Sequence, residues 1–163
     1  MSVQTGANCK IYIGTTAAHA NQAAYEADTY TLVEQTESIG DFGDNYAEVT
    51  FTGLEDARVQ KKKGAADAGN LSVTMAFDGT AFGSPLGGQG VLTAASEDTT
   101  SSDYNFKVVF NDGTTGSPLG DGTTRYFSGQ VATMSESISG ADNILMVTAE
   151  VRINTSIIKV VST

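Results

Sequence analysis

The chain is poor in the residues from which small proteins build covalent or metal staples: 163 residues contain one cysteine (Cys9), one histidine (His19) and no tryptophan. A single thiol excludes an internal disulfide, and one Cys with one His cannot fill a structural zinc shell. Cations are scarce as well. Nine Lys and Arg stand against nineteen Asp and Glu, a net charge of −10, while only 17% of residues are charged. That balance argues against tight nucleic-acid binding, which draws on cations neutralising phosphates, and the low charge density argues against a disordered polyanion. No run approaches the roughly 18 apolar residues of a membrane span, and no charged-then-apolar leader opens the chain. It reads as soluble and without an export signal.

What is abundant is glycine, at 18 residues against two prolines, together with Thr, Ser and Val. This favours antiparallel strands joined by glycine turns, and the length suits one domain over residues 1–163. Period-2 alternation marks Cys9–Ile13 and, most cleanly, Asn70–Asp78, with Leu71, Val73, Met75 and Phe77 inward. Tyr104, Phe106, Val108 and Phe110 form a third inward set, with Asn105, Lys107 and Val109 outward. Further strands are expected over 30–39, 46–54, 57–63, 124–133 and 143–153. Gly40-Asp-Phe-Gly-Asp-Asn45 carries turn chemistry, so 30–39 and 46–54 read as a long hairpin with Glu48, Thr50 and Thr52 on its wet face. The alanine-rich residues 14–29 read as an inserted loop with a helical turn and a Thr16 cap, and one helix is expected over Leu86–Glu97. Residues 156–163 form an apolar tail that needs a docking place. The sum is a mainly β antiparallel sandwich or partial barrel with one flanking helix and open edges that favour self-assembly.

Catalytic chemistry finds little support. His19 lies in a loop without a sequence-adjacent partner and reads as a solvent-exposed bystander; Cys9 reads as a small core residue. Glu55-Asp56 and Glu97-Asp98 are adjacent carboxylates, which a strand sends to opposite faces. The Asn111–Gly116 and Asp121-Gly loops have calcium-friendly oxygens but not the ordered spacing, and Gly88-Gln-Gly90 lacks the lysine of a phosphate loop. No catalytic residue, cofactor or metal is expected. Lys61-Lys62-Lys63 reads as edge protection or as a salt partner for carboxylates.

The order of elements, through YTLVEQTESIGDFGDNY, AEVTFTGLEDARVQKKKG, NLSVTMAFD, YNFKVVFNDG, RYFSGQV and ISGADNILMVTAEVRI, resembles the tail tube (major tail) proteins of long-tailed bacteriophages with flexible tails. The likeness runs from about residue 9 to 155. Its most telling part is Phe127-x-Gly129-x-Val131, then a turn holding Ser139, Gly140, Asp142 and Asn143 and a last Val-rich strand.

The resemblance implies a virion protein, assembled in the bacterial host, whose six-membered rings stack into a conduit for double-stranded DNA. Tail-terminator, tape-measure and tail-tip proteins are the implied partners. It also implies a continuous inner β-barrel, with Gly40, Asp41, Phe42, Gly43, Asp44 and Asn45 at the ring-stacking position. Six subunits giving four strands each, at about 4.8 Å spacing, would make a wall about 37 Å across, wide enough for a duplex. Such a bore should not hold phosphates, and Glu34, Glu48, Thr50, Thr52, Ser128 and Gln130 are the lumen-lining candidates. The rival readings are a bacterial secretion-system tube protein and a surface or carbohydrate-binding β-sandwich.

Overall fold

The computed structural model describes residues 3–55, 57–113 and 122–162. Within them the chain runs β1 (Lys10–Ile13), α1 (Gln22–Glu26), β2 (Thr31–Leu32), β3 (Thr36–Ile39), β4 (Asn45–Thr52), β5 (Val59–Asp67), β6 (Asn70–Ala76), α2 (Gly79–Phe82), α3 (Gly88–Glu97), β7 (Tyr104–Val109), β8 (Thr124–Ser137), β9 (Met146–Ile153) and β10 (Ile158–Val160). The fold is mainly β, as the composition requires.

One antiparallel sheet in the order β2-β1-β7-β8-β9-β6-β3, with β10 beside the start of β8, forms the body. It is a curled open sheet rather than a closed barrel. The alternating sets meet on its concave side: Ile11 and Ile13, Leu71, Val73 and Met75, Phe106 and Val108, Phe127, and Val147, Ala149 and Val151 are all essentially inaccessible. Phe106 and Phe127, opposite one another in the β7–β8 register, stack at 5.5 Å. Each such ring removed from water is worth about 1.5–3 kcal/mol, so these pairs fix the register.

Helix α3 covers the core with Leu92 and Ala95. Its first turn is bolted down by Gln89, whose buried amide nitrogen donates to the carbonyls of Ala76 (2.8 Å) and Glu34 (3.1 Å) while its oxygen accepts from the Asp78 N–H. The Glu34 carboxylate accepts from the Gly88 N–H at 2.9 Å, an anion at a helix N-terminus. A Cβ on Gly88 would sit 2.1 Å from the Leu32 carbonyl oxygen, which is why the helix can approach so closely only with glycine there.

The structure departs from the expectation in several places. The 30–39 strand is broken, because Gln35 adopts φ 56 and splits it into β2 and β3. The expected hairpin across 40–45 does not form: β3 pairs with β6, and β4 pairs with β5, so residues 40–44 bridge two sheets. Turn chemistry reverses a chain without saying which strands will pair. The strand expected over 57–63 runs on to Asp67 as β5. Three helices replace the single one, α1 being capped by Asn21 rather than Thr16 and α2 by Asp78. Asn105 and Val109, expected outward, are buried; residues 14–29 fold over Asn105, which donates to the Ala17 carbonyl and to Asp28. The tail docks as β10 on β8.

Candidate assembly surfaces

The two-stranded β4–β5 sheet is an arm whose strands, among the described residues, pair only with one another. All eight residues of β4 are exposed, and of β5 only Gly64 is partly covered. A lone hairpin is marginal in water unless it rests on a core or a partner. Cross-strand register puts Glu48, Thr50 and Thr52 on one face with Lys63, Lys61 and Val59, and Val49 and Phe51 on the other with Lys62 and Gln60. Phe51 is 65% exposed and Leu54, beyond the strand end, wholly so. Within the arm, Lys61 Nζ meets Glu48 Oε2 at 3.1 Å and Lys63 sits over the Tyr46 ring at 4.7 Å.

A second surface is an edge. β8 is fourteen residues long, but β7 pairs with it only as far as Gly129. β9 follows the opposite edge of β8 to Ser137, so Val131–Ser137 offer one unpaired row of backbone groups among the described residues. Val131 and Met134 turn to the core, while Thr133, Ser135 and Ser137 lie opposite Glu150, Thr148 and Met146 on the solvent face. That face is continued by Ser72 and Thr74 of β6, making a broad hydroxyl-rich surface that periodicity marks only as wet. A third surface is a groove of about 530 Å³ where β1 and β3 approach, lined by Cys9, Ile39, Phe42, Val108 and Phe110 among others.

The sequence-derived site residues fall in different places. Glu48, Thr50 and Thr52 share the arm's polar face, though Lys61 and Lys63 stand among them, so that face is not uniformly acidic. Gln130 is half-buried beside the free edge and donates to the Ser101 carbonyl. Glu34 is engaged at the α3 N-terminus. Ser128 is buried, with its hydroxyl 2.6 Å from both Tyr25 Oη and Asn105 Oδ1, so its polar group does not meet open water. Gly40, Asp41, Phe42, Gly43, Asp44 and Asn45 lead from the body to the arm. The Phe42 ring lies tilted against Phe127 with centroids 6.0 Å apart, pinning the root of that connection to the core.

His19 is not a solvent-exposed bystander. Its side chain is only 12% accessible, because the 14–29 segment folds back and brings Asp28 Oδ2 to 3.2 Å from Nε2, with the Tyr25 ring edge-on at 5.0 Å. Burial raises the Asp28 carboxyl, but hydrogen bonds from Thr15, Asn105 and the Thr29 N–H, with His19 beside them, outweigh that and hold it below its ordinary value. The set is structural: Ser128 is hydrogen-bonded to Tyr25 and Asn105, so Ser128, His19 and Asp28 do not form a nucleophile relay. Among the described residues no group of His, Cys, Asp and Glu could hold a metal ion, and no helix is long and apolar enough to cross a membrane. Asp56 and residues 114–121, which hold part of the paired-carboxylate and calcium-like motifs, lie outside the described residues.

No family model and no curated protein matches the sequence. Solved structures do match, along nearly the whole chain. The sheath/tube terminator of an extracellular contractile injection system (PVC, extended state) superposes with a TM-score of 0.68 at 9% identity, covering 98% of both chains. The chain has the tail-tube fold. The tube-terminating cap of the anti-feeding prophage gives 0.68 at 8% identity over 99% of this chain and 93% of that one. The SPP1 tail tube gives 0.61 at 11% identity over 96% and 78%. The tube fold is thus shared with contractile and phage tail assemblies alike, at identities that carry architecture and not residue roles.

Proposed function

We propose that this protein is a non-enzymatic structural subunit of a phage-type tail tube. Its copies form rings that stack into a conduit for double-stranded DNA in a virion tail. The observation that carries the reading is the β4–β5 arm, an amphipathic two-stranded sheet whose residues are almost all exposed, in a chain whose fold matches tube and terminator proteins along nearly its whole length. A sister copy supplies what the arm lacks. Glu48, Thr50, Thr52 and Gln130 remain candidates for the bore, and the 40–45 connection, which swings the arm, for contact between rings. Glu34 and Ser128 leave the lumen set because their polar groups are engaged inside the subunit. The net charge of −10 keeps passing phosphates from being held.

A tube-terminator role is the second reading. It is supported by the matches to the injection-system terminator and to the tube-terminating cap, each over more than nine-tenths of both chains. Tail-terminator, tape-measure and tail-tip proteins, or their injection-system counterparts, would be the partners. Negative-stain microscopy of the purified chain separates these readings: stacked tubes indicate a tube subunit and single rings a terminator. A monomer that stays monodisperse at all salt concentrations contradicts both.

A further inference from the structure

We infer that Glu48 masks the lysines on the polar face of the arm, Lys61 and Lys63, so that a phosphate backbone passing that face meets no unpaired ammonium. The inference rests on the tube reading, which turns this face toward the duplex, and adds how a bore that contains lysine stays unretentive.

Lysine is concentrated where a conduit can least use it. Residues 45–67 carry four of the nine cations of the chain, Arg58, Lys61, Lys62 and Lys63. Strand parity sends Lys62 to the Val49 and Phe51 side, the side an apolar contact would cover. It leaves Lys61 and Lys63 with Glu48, Thr50 and Thr52 on the side that meets water. A bare ammonium there would hold DNA, since each phosphate it neutralises releases counterions and adds about 0.9 to the slope of log affinity against log salt. The same lysines recur in every copy, so even a weak grip at each would add up along a tube.

Both side chains already have a local partner. Lys61 lies opposite Thr50 but reaches diagonally to Glu48, with Nζ 3.1 Å from Oε2. Lys63 lies opposite Glu48 and sets its Nζ over the Tyr46 ring, 4.7 Å from the centroid, where the electron-rich face of the ring attracts a cation. Asp44 lines the same shallow groove, which brings two carboxylates to the two lysines. The Lys61 and Glu48 side chains are 66% and 57% accessible, so their pairing adds little to folding. Its effect on a third charge is larger. Within the roughly 8 Å Debye length of physiological salt, the Glu48 charge opposes a phosphate that Lys61 attracts, and the pair presents a dipole in place of a cation.

The test uses tubes assembled from the full chain in the presence of a short blunt DNA duplex, pelleted across a salt series and then treated with nuclease. Unaltered tubes should retain no duplex at about 50 mM salt. Glu48→Gln tubes should retain it in a nuclease-protected form, with retention falling at least about a hundredfold between roughly 50 and 200 mM salt. Adding Lys61→Gln restores the charge balance and should release the duplex. Glu97→Gln, at the exposed end of α3, changes the net charge equally and should retain none. Unaltered tubes that retain duplex, Glu48→Gln tubes that do not, retained duplex open to nuclease, retention that survives Lys61→Gln, or equal retention by Glu97→Gln tubes would each overturn the inference and leave the tube reading intact. Tubes doped with a minority of Glu48→Gln chains give the same readings where that variant does not assemble alone. An unaltered chain that forms no tubes overturns the tube reading and this inference together.

Discussion

At the scale of single residues, two positions show what holds the subunit together. Gly129, in the aromatic-Gly-Val stretch of β8, lies where a Cβ would sit 2.2 Å from the Arg152 carbonyl oxygen. Backbone cannot yield as a side chain can, so Gly129→Ala should cost about 1–3 kcal/mol in urea unfolding. Gly140→Ala, whose Cβ would meet nothing closer than 3.9 Å, should be neutral in the same assay. Asp28 works through protonation. Its folded value is depressed below the ordinary 3.8, so its contribution is present above about pH 4 and is lost as pH falls through the folded value. The melting temperature of the native chain should therefore drop below pH 4 more steeply than that of Asp28→Asn, which should start lower at pH 6. Sequence pattern reached Leu71, Val73 and Met75 because one buried face imposes period 2. It missed the His19–Asp28 contact and the burial of Asn105 and Ser128. Those depend on residues 14–29 lying across β7 and β8, and Asn105 and Asp28 are 77 positions apart in the chain.

At the scale of elements, the arm differs from everything else in the fold. Strands β1, β6, β7, β8 and β9 of the body bury at least one face along part of their length, whereas β4 and β5 bury neither and still keep an apolar side. An exposed Phe contributes little to a subunit and much to an interface. Phe51→Ser should leave monomer stability within about 0.5 kcal/mol. It should weaken polymerisation by the roughly 1.5–3 kcal/mol of one buried ring, ten- to a hundredfold in association constant, measured by light scattering against concentration. The strands of the arm were legible from alternation at 46–54 and the polar run at 57–63. Their partnership was not, because a Gly/Asp-rich connection such as 40–45 serves equally as a hairpin turn and as a bridge between sheets. The broken β2–β3 run escaped notice for a related reason: one residue at positive φ, Gln35, leaves no mark in a string of β-forming side chains.

At the scale of the whole molecule, charge and shape lead to one account. The net charge of −10, the exposed arm and the open edge of β8 fit the proposed subunit completed by its copies, and the mainly β architecture was readable from composition and the order of elements. The open edge of β8 needed coordinates, since it depends on where β7 stops along that strand. The most direct measurement is a cryo-electron microscopy cross-section of tubes grown from the purified chain. The account predicts a continuous hydrogen-bonded β wall, with each arm inside its neighbour's sheet, around a bore that admits a duplex about 20 Å wide and is not lined mainly by lysine and arginine. Subunits touching only through loops, arms free in solvent, or a cation-walled channel would contradict it.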